Sequence, residues 1–390
     1  MSETEFPLMQ FMRDGLDPVA ELGRIRDEQP VCPLHMPGGS TVWLATRYDD
    51  VRSVLGDTGR FSNDFGNVTA VGSAQEDPGG LGFRDPPEHT RLRRLLTPEF
   101  TMRRLRRMEP RIEAIVAEHL DAMERSGSSA DLVPSFALPI PSLVVCELLG
   151  VPHADRADFL RLSTDRFDLS AGPEASLQAV NDSMSYLTEL VARERKDPGD
   201  GLLGMLLREH GDQVGDRELA GLADGLLTGG HDTSTSMLAL GVLWLLRNPD
   251  HLALVRDGDQ VEAVVEELLR YLTVVQVAFP RFAREDLVLA GQPIAKGEMV
   301  LCSLTGANRD PVLGPDVDTV VPGRKAASHL AFGHGIHRCV GAPLAQMELR
   351  IALPALLRRF PDLRLAVPFE EIPFRKISIV YGVDSLPVAW

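Results

Sequence analysis

Apolar residues recur along most of this chain with the 3.6-residue period of amphipathic helices. Segments carrying that period run over 49–56, 88–96, 102–126, 139–149, 175–195, 201–209, 216–247, 250–257, 261–272 and 342–360. The 216–247 segment is the longest, about thirty residues and ~45 Å as a helix. A helix of that length crosses a whole domain, so its neighbours must pack around it. Two-residue alternation is scarce. Residues 41–45 and 287–302, the latter broken by a Gly291-Gln292 turn, read as hairpin strands, and 377–380 and 386–388 are further short candidates. The stretch 62–87, rich in Gly, Asn, Asp and Pro, follows neither period. A loop so long inside a compact domain is a lid or binding loop, or is disordered. No repeat or linker interrupts the pattern, so residues 1–390 read as one large, mainly helical domain with small β-sheets.

Charge and composition narrow the functional classes. The 40 Lys and Arg against 56 Asp and Glu leave a net charge of -16, the wrong sign for meeting nucleic-acid phosphates. Residues 1–10 lack the basic and apolar regions of a signal peptide. The longest apolar run, 237–246, is about half of the ~20 residues that a membrane span requires. The expectation is a cytoplasmic monomer that binds neither nucleic acid nor membrane. Cys32, Cys146, Cys302 and Cys339 include no CxxC pair, hence no zinc site or disulfide framework, as in a reducing compartment.

The densest local pattern is Phe332-Gly-His-Gly-Ile-His-Arg-Cys339-Val-Gly341, followed by Ala-Pro-Leu-Ala-Gln. Cys339 stands before a helix whose first turn holds Pro343, a favoured place for proline. There the thiol faces unpaired backbone N–H groups and the positive end of a helix dipole, which favour thiolate. A plain Gly-rich turn with an inert buried Cys is the competing reading. The spacing of Phe332, Gly335, Cys339 and Gly341 resembles the haem-binding loop of the cytochrome P450 family. That resemblance makes Cys339 the proximal thiolate ligand of haem b, with Phe332 shielding the sulfur.

The long helix carries Gly229-Gly230-His231-Asp232-Thr233, preceded by Gly221 and Gly225. Each glycine costs ~1 kcal/mol against Ala in a helix, so the Gly221, Gly225 and Gly229 stripe needs a reason. Tight helix–helix packing is one. The resemblance supplies another: a helix over the distal haem face, with Asp232 and Thr233 as the acid and alcohol that move protons during dioxygen activation. Glu267-Leu-Leu-Arg270 alone is an ordinary helical ion pair, and by resemblance a structural pair on the haem side. Buried propionates need cationic or hydrogen-bonding partners, and the resemblance assigns them to His89, Arg93, Arg281 and His337. Three departures from the family pattern are Val321 for an acidic residue before Arg324, Gln346 for an Arg, and Arg338 for a Phe beside the ligand.

The resemblance implies a cytochrome P450 fold and a haem-thiolate monooxygenase fed electrons from NAD(P)H by a separate partner, since 390 residues leave no room for a flavin or ferredoxin domain. Oxidative coupling or epoxidation on the same fold, and a catalytically silent activator of a partner enzyme, are the alternatives. By family position the pocket is lined by the 62–84 loop, Leu226, Gly229, Val274, Val277, Ala278, Phe279, Ile379 and Val380, with Thr228 and Gln276 as polar anchors. That lining suits a hydrophobic small-molecule substrate of bacterial secondary metabolism. On a strongly acidic chain, arginines crowd between Arg91 and Arg111. Against the plain reading of a solvated face, Arg103, Arg104 and Arg107 are expected to dock a small acidic ferredoxin, itself served by a ferredoxin reductase.

Overall fold

A computed structural model describes residues 6–35, 41–64, 66, 80–156, 173–325 and 328–390. In chain order, the short strands β1 (Arg13–Asp14) and β2 (Asp17–Pro18) precede α1 (Ala20–Glu28). The antiparallel pair β3 (Val31–His35) and β4 (Thr41–Ala45) leads to α2 (Tyr48–Gly56) and β5 (Phe61–Ser62). The helical body follows: α3 (Glu88–Leu96), α4 (Met102–Leu105), α5 (Glu109–Ser126), β6 (Ser129–Asp131), α6 (Pro139–Leu149), α7 (Pro173–Lys196), α8 (Leu202–His210), α9 (Asp216–Leu246), α10 (Pro249–Asp257) and α11 (Val261–Leu272). Strands β7 (Arg281–Ala283), β8 (Leu287–Leu289), β9 (Gln292–Ile294) and β10 (Met299–Cys302), the short α12 (Leu304–Ala307), α13 (Ala342–Arg359), β11 (Arg364–Leu365) and β12 (Pro387–Ala389) complete the described elements.

Helix α9 is the axis of the molecule. It packs on α6, α7 and α13, and Met237 to Leu245 are all buried. Its start is secured by Glu218, whose carboxylate accepts the Gly215 N–H at 3.0 Å, the reciprocal arm of a capping box. The main hydrophobic core joins α9 to α5, α6, α11 and α13, and a second core lies between α2 and the five-stranded sheet β3-β4-β10-β7-β5. In α11, Val264, Val265, Leu268, Leu269 and Leu272 form one buried stripe at the expected spacing. The Cys339 loop enters α13, which packs against α9, so the two segments that carry the chemistry are held by one interface.

Several boundaries differ from the periodicity. The 102–126 helix is broken into α4 and α5, because Pro110 at the first turn of α5 has no N–H to continue a helix. The 287–302 unit divides: β8 and β9 form their own hairpin, while β10 joins the large sheet parallel to β4. Residues 377–380 form no strand; Val380 makes a single bridge to Val275. The last strand is Pro387–Ala389, one residue later than expected. Most of the centre of the 62–87 loop, residues 65 and 67–79, lies outside the described residues. No described helix is long and apolar enough to cross a membrane.

Candidate functional site

Of the four cysteines, Cys32, Cys146 and Cys302 are buried, and Cys339 alone is open. The loop before it is shaped by two glycines in the left-handed region, Gly333 (φ 70°) and Gly335 (φ 72°). A Cβ on Gly335 would stand 2.5 Å from the Leu55 carbonyl oxygen of α2, so this turn tolerates no side chain. The Cys339 N–H donates to the Phe332 carbonyl at 2.9 Å, closing the loop around the sulfur. The sulfur receives the N–H groups of Gly341 and Ala342 at the start of α13. The expected lowering of its pKa is not realised: surrounding protein pushes the thiol up, and those N–H groups with Arg93 and Arg338 only partly oppose this. A bound cation would reverse the balance, since a coordinating thiol is deprotonated outright.

Beside this loop lies a group of basic side chains without carboxylate partners among the described residues. His89 has both ring nitrogens buried and unpaired, and His337 has a buried, unpaired Nε2; the two rings stand 4.1 Å apart. Arg281 is buried, yet among the described residues its guanidinium reaches only the carbonyls of Phe279 (2.9 Å) and Pro280 (3.4 Å). Arg93 is half-buried and has no ion pair among the described residues. Burial, followed by Arg93 and Arg281, depresses His89 to about 4; burial, then His89, Arg281 and Arg93, depresses His337 to about 3. A cleft of about 440 Å³ lined by His89, Arg93, Arg94 and Ile336 opens onto this group. Buried donors left unpaired are rare in folded proteins. An open thiol beside four basic groups that lack anions among the described residues fits haem: Cys339 would hold its iron, and His89, Arg93, Arg281 and His337 would meet its two propionates.

On α9, a Cβ at Gly225 or Gly229 would meet nothing within 4 Å, so the stripe faces open space there. Tight packing occurs next to it, where a Cβ on Gly230 would lie 2.8 Å from Val145. Asp232 and Thr233 adjoin in sequence but are not bonded to each other. Thr233 Oγ1 donates back to the Gly229 carbonyl at 2.6 Å, a bond that tends to bend a helix. Asp232 is buried and paired with Arg375, whose Nη1 lies 3.1 and 3.0 Å from its two oxygens. Burial pushes this carboxyl up, and Arg375 only partly restrains it. Arg375 is a partner of Asp232 that sequence reasoning missed, because nothing local marks an arginine 143 positions from the acid it holds.

The pocket residues separate into two groups. Phe279 is 53% exposed and Ile379 60% exposed, with Phe83 edge-on to Phe279 at 4.9 Å. Leu226 and Val380 are partly buried against the main core and Ala278 against the second. Val274 and Val277 are buried, and Val277 bridges to Ser303. Gln276 is no free polar anchor: Arg13 Nε donates to its Oε1 at 3.0 Å, and its Nε2 donates to the Ser378 carbonyl at 2.7 Å.

Glu267 and Arg270 form a buried pair at 2.8 Å. Arg324 joins at 3.1 Å and the Val321 N–H at 2.9 Å, so the chain supplies a backbone donor where the family often has an acid. Burial pushes the Glu267 carboxyl up, but Arg270, Val321 and Arg324 outweigh it and hold it low. Gln346 turns to Glu266, which also accepts from His329 at 3.1 Å, and thus serves α11 rather than a propionate. Arg338 lies over the Phe332 ring at 5.9 Å. Glu348, on the buried side of α13, was also missed, although its acid among Leu344, Met347 and Leu349 was a visible anomaly.

The arginine-rich segment packs beside α13 through α4. Arg103, Arg106 and Arg107 are exposed and make no ion pair among the described residues. Arg104 differs from expectation: it is half-buried, 3.4 Å from Glu99 and bonded to the Met205 sulfur at 3.5 Å. The unpaired set is therefore Arg103, Arg106 and Arg107.

Comparison with known proteins shows the family. The cytochrome P450 family pattern matches residues 24–164 and 259–373. The chain is 44% identical to cytochrome P450 165B3 of Amycolatopsis orientalis, covering 100% of both chains. It is 40% identical to the mycinamicin IV hydroxylase/epoxidase of Micromonospora griseorubida, covering 96% of each. The structure of OxyC, a cytochrome P450 implicated in an oxidative C–C coupling reaction during vancomycin biosynthesis, superposes with a TM-score of 0.89 at 44% identity, covering 97% of this chain and 96% of that one. The chain belongs to the cytochrome P450 family.

Proposed function

We propose that this cytochrome P450 is a haem-thiolate monooxygenase that inserts one atom of dioxygen into a mostly apolar small molecule of bacterial secondary metabolism. The observation that carries this reading is the open Cys339 sulfur beside His89 and His337, whose buried ring nitrogens lack partners, and Arg93 and Arg281, which have no carboxylate among the described residues. Haem, when bound, supplies dioxygen activation strong enough to attack unactivated carbon, and a thiolate ligand favours O–O cleavage. The chain's own groups do the rest. The N–H groups of Gly341 and Ala342 stabilise negative charge on the sulfur. Asp232 and Thr233 hold and pass protons, while Phe83, Phe279 and Ile379 offer an apolar wall that positions substrate and limits water.

Electrons come from NAD(P)H through a ferredoxin reductase and a small acidic ferredoxin, for which Arg103, Arg106 and Arg107 beside α13 are the dock. A positive patch on a chain of net charge -16 orients an acidic partner and speeds encounter. Oxidative coupling is a second reading, favoured by the likeness to OxyC; product mass separates the two, as a gain of one oxygen or a loss of two hydrogens. The test of the first reading is the spectrum of the reduced, carbon monoxide-treated protein. A red-shifted thiolate Soret band lost in Cys339→Ala supports it; the same band surviving Cys339→Ala refutes it.

A further inference from the structure

The Asp232–Arg375 pair reaches beyond helix α9. Arg375 lies at the base of the C-terminal hairpin, where Phe374 bridges Val383 and the Arg375 N–H donates to the Gly382 carbonyl at 3.0 Å. Its Nη1, already shared between the two Asp232 oxygens, also lies 3.2 Å from the carbonyl of Val380. On the other side Arg375 Nε stands 3.5 Å from Asp384. The hairpin is pressed onto α9: a Cβ on Gly382 would come 2.6 Å from Ser236 Oγ and 3.4 Å from the Arg375 guanidinium carbon. One guanidinium therefore ties the buried acid to the backbone that presents Ile379 and Val380.

We propose that Arg375 is a positioning residue for proton delivery, holding the Asp232 carboxylate against the C-terminal hairpin and so deciding when that acid serves Thr233. This rests on the monooxygenase reading. While paired, both Asp232 oxygens are turned to Nη1, and the guanidinium favours the carboxylate over the acid form that could give a proton. On release from Arg375 it takes a proton from a hydronium ion of the solvent, whose O–H bond breaks as the carboxyl O–H bond forms. That bond breaks when the proton passes to the Thr233 oxygen, and the hydroxyl's own proton moves on to the reacting site. No electrons are exchanged. Because the same nitrogen holds the Val380 carbonyl, displacement of the hairpin at Ile379–Val380 loosens the grip on Asp232.

The groups that set the Asp232 titration are few. Arg375 and Asp384 face it from the hairpin, pulling in opposite directions. His231, on the same helix, is bonded to Ser142 of α6 at 2.7 Å. Glu348 of α13 is bonded to Ser234. Two substitutions should then shift Asp232 with opposite sign. Infrared difference spectra of the haem-loaded protein over about pH 4 to 9, with the carboxyl band assigned by its loss in Asp232→Asn, read the midpoint directly. Arg375→Gln should raise it by about one unit or more, as expected for a carboxylate that loses an adjacent cation, and Arg375→Lys should return it toward wild type. Asp384→Asn, at an exposed side chain, should lower it. Product formed per electron consumed should follow the same midpoints. Midpoints unmoved in Arg375→Gln and Asp384→Asn, or moved in the same direction, overturn the proposal; should Arg375→Gln fail to fold, Asp384→Asn decides alone. Failure of the monooxygenase reading would show separately, as an absent thiolate Soret band.

Discussion

Two clusters of basic side chains in this molecule are built to opposite ends. Around Glu267, the Arg270 guanidinium bonds to both carboxylate oxygens and to the carbonyls of Asn308, Val317 and Thr319, at 2.7 to 3.0 Å. Every charge there has a partner within the chain. Around Cys339, His89 and Arg281 are buried and His337 and Arg93 half-buried, yet none has a carboxylate partner among the described residues. Leaving a buried donor unpaired costs about 1–3 kcal/mol, so a fold keeps several together only where something else completes them. Saturation marks a cluster that holds the fold, and shared lack of anions marks one that holds a ligand.

The sharpest way to break the comparison is to unsaturate the first cluster. Glu267→Ala strands Arg270 and Arg324 without their carboxylate and should cost about 3–5 kcal/mol, as broken buried pairs do. Denaturant unfolding reads it, and a loss under 1 kcal/mol would erase the distinction. The converse substitution, Arg281→Gln, removes a cation that no carboxylate holds. Chain stability should change by less than about 1 kcal/mol while haem retention, followed by transfer to a haem acceptor, falls about tenfold or more, the loss of one charge-assisted bond.

Glu348 is the intermediate case, with Ser234 on its carboxyl and no partner for Oε2 among the described residues. Burial pushes its carboxyl up to about 8 from an ordinary 4.5. Between those values the folded chain keeps a proton that the unfolded chain releases, so stability falls as pH rises across the window and levels off above it. Glu348→Gln removes that fall. Its Tm relative to wild type should climb from about pH 5 to about pH 8, and a constant difference would mean that Glu348 titrates normally.

The smallest stability effect belongs to cations that are neither saturated nor buried. Replacing Arg103, Arg106 and Arg107 together by Gln should leave stability within about 0.5 kcal/mol per site. First-electron transfer should slow and lose its salt dependence. Equal rates and equal salt sensitivity would make the patch an ordinary solvated face.

Much of this was legible in one dimension. The spacing of Phe332, Gly335, Cys339 and Gly341, the Asp232-Thr233 step in a long apolar helix, and the order of Glu267 between them are local patterns, and local patterns survive in a sequence. Helix positions were legible for the same reason, since a 3.6-residue period is set by burial on one face, as in α11. What the chain order does not encode is which distant side chains meet. Arg375 against Asp232, Arg324 on Glu267 and Arg13 closing on Gln276 arise from packing of segments that are 143, 57 and 263 positions apart. The state of each charge was likewise decided in three dimensions. The sequence by itself determined which groups could carry charge and chemistry; only tertiary burial decided that Cys339 lies open and Cys302 shut, that Arg104 is paired and Arg106 free, and that Gln276 is structural, because desolvation and partner geometry depend on neighbours that folding alone brings together.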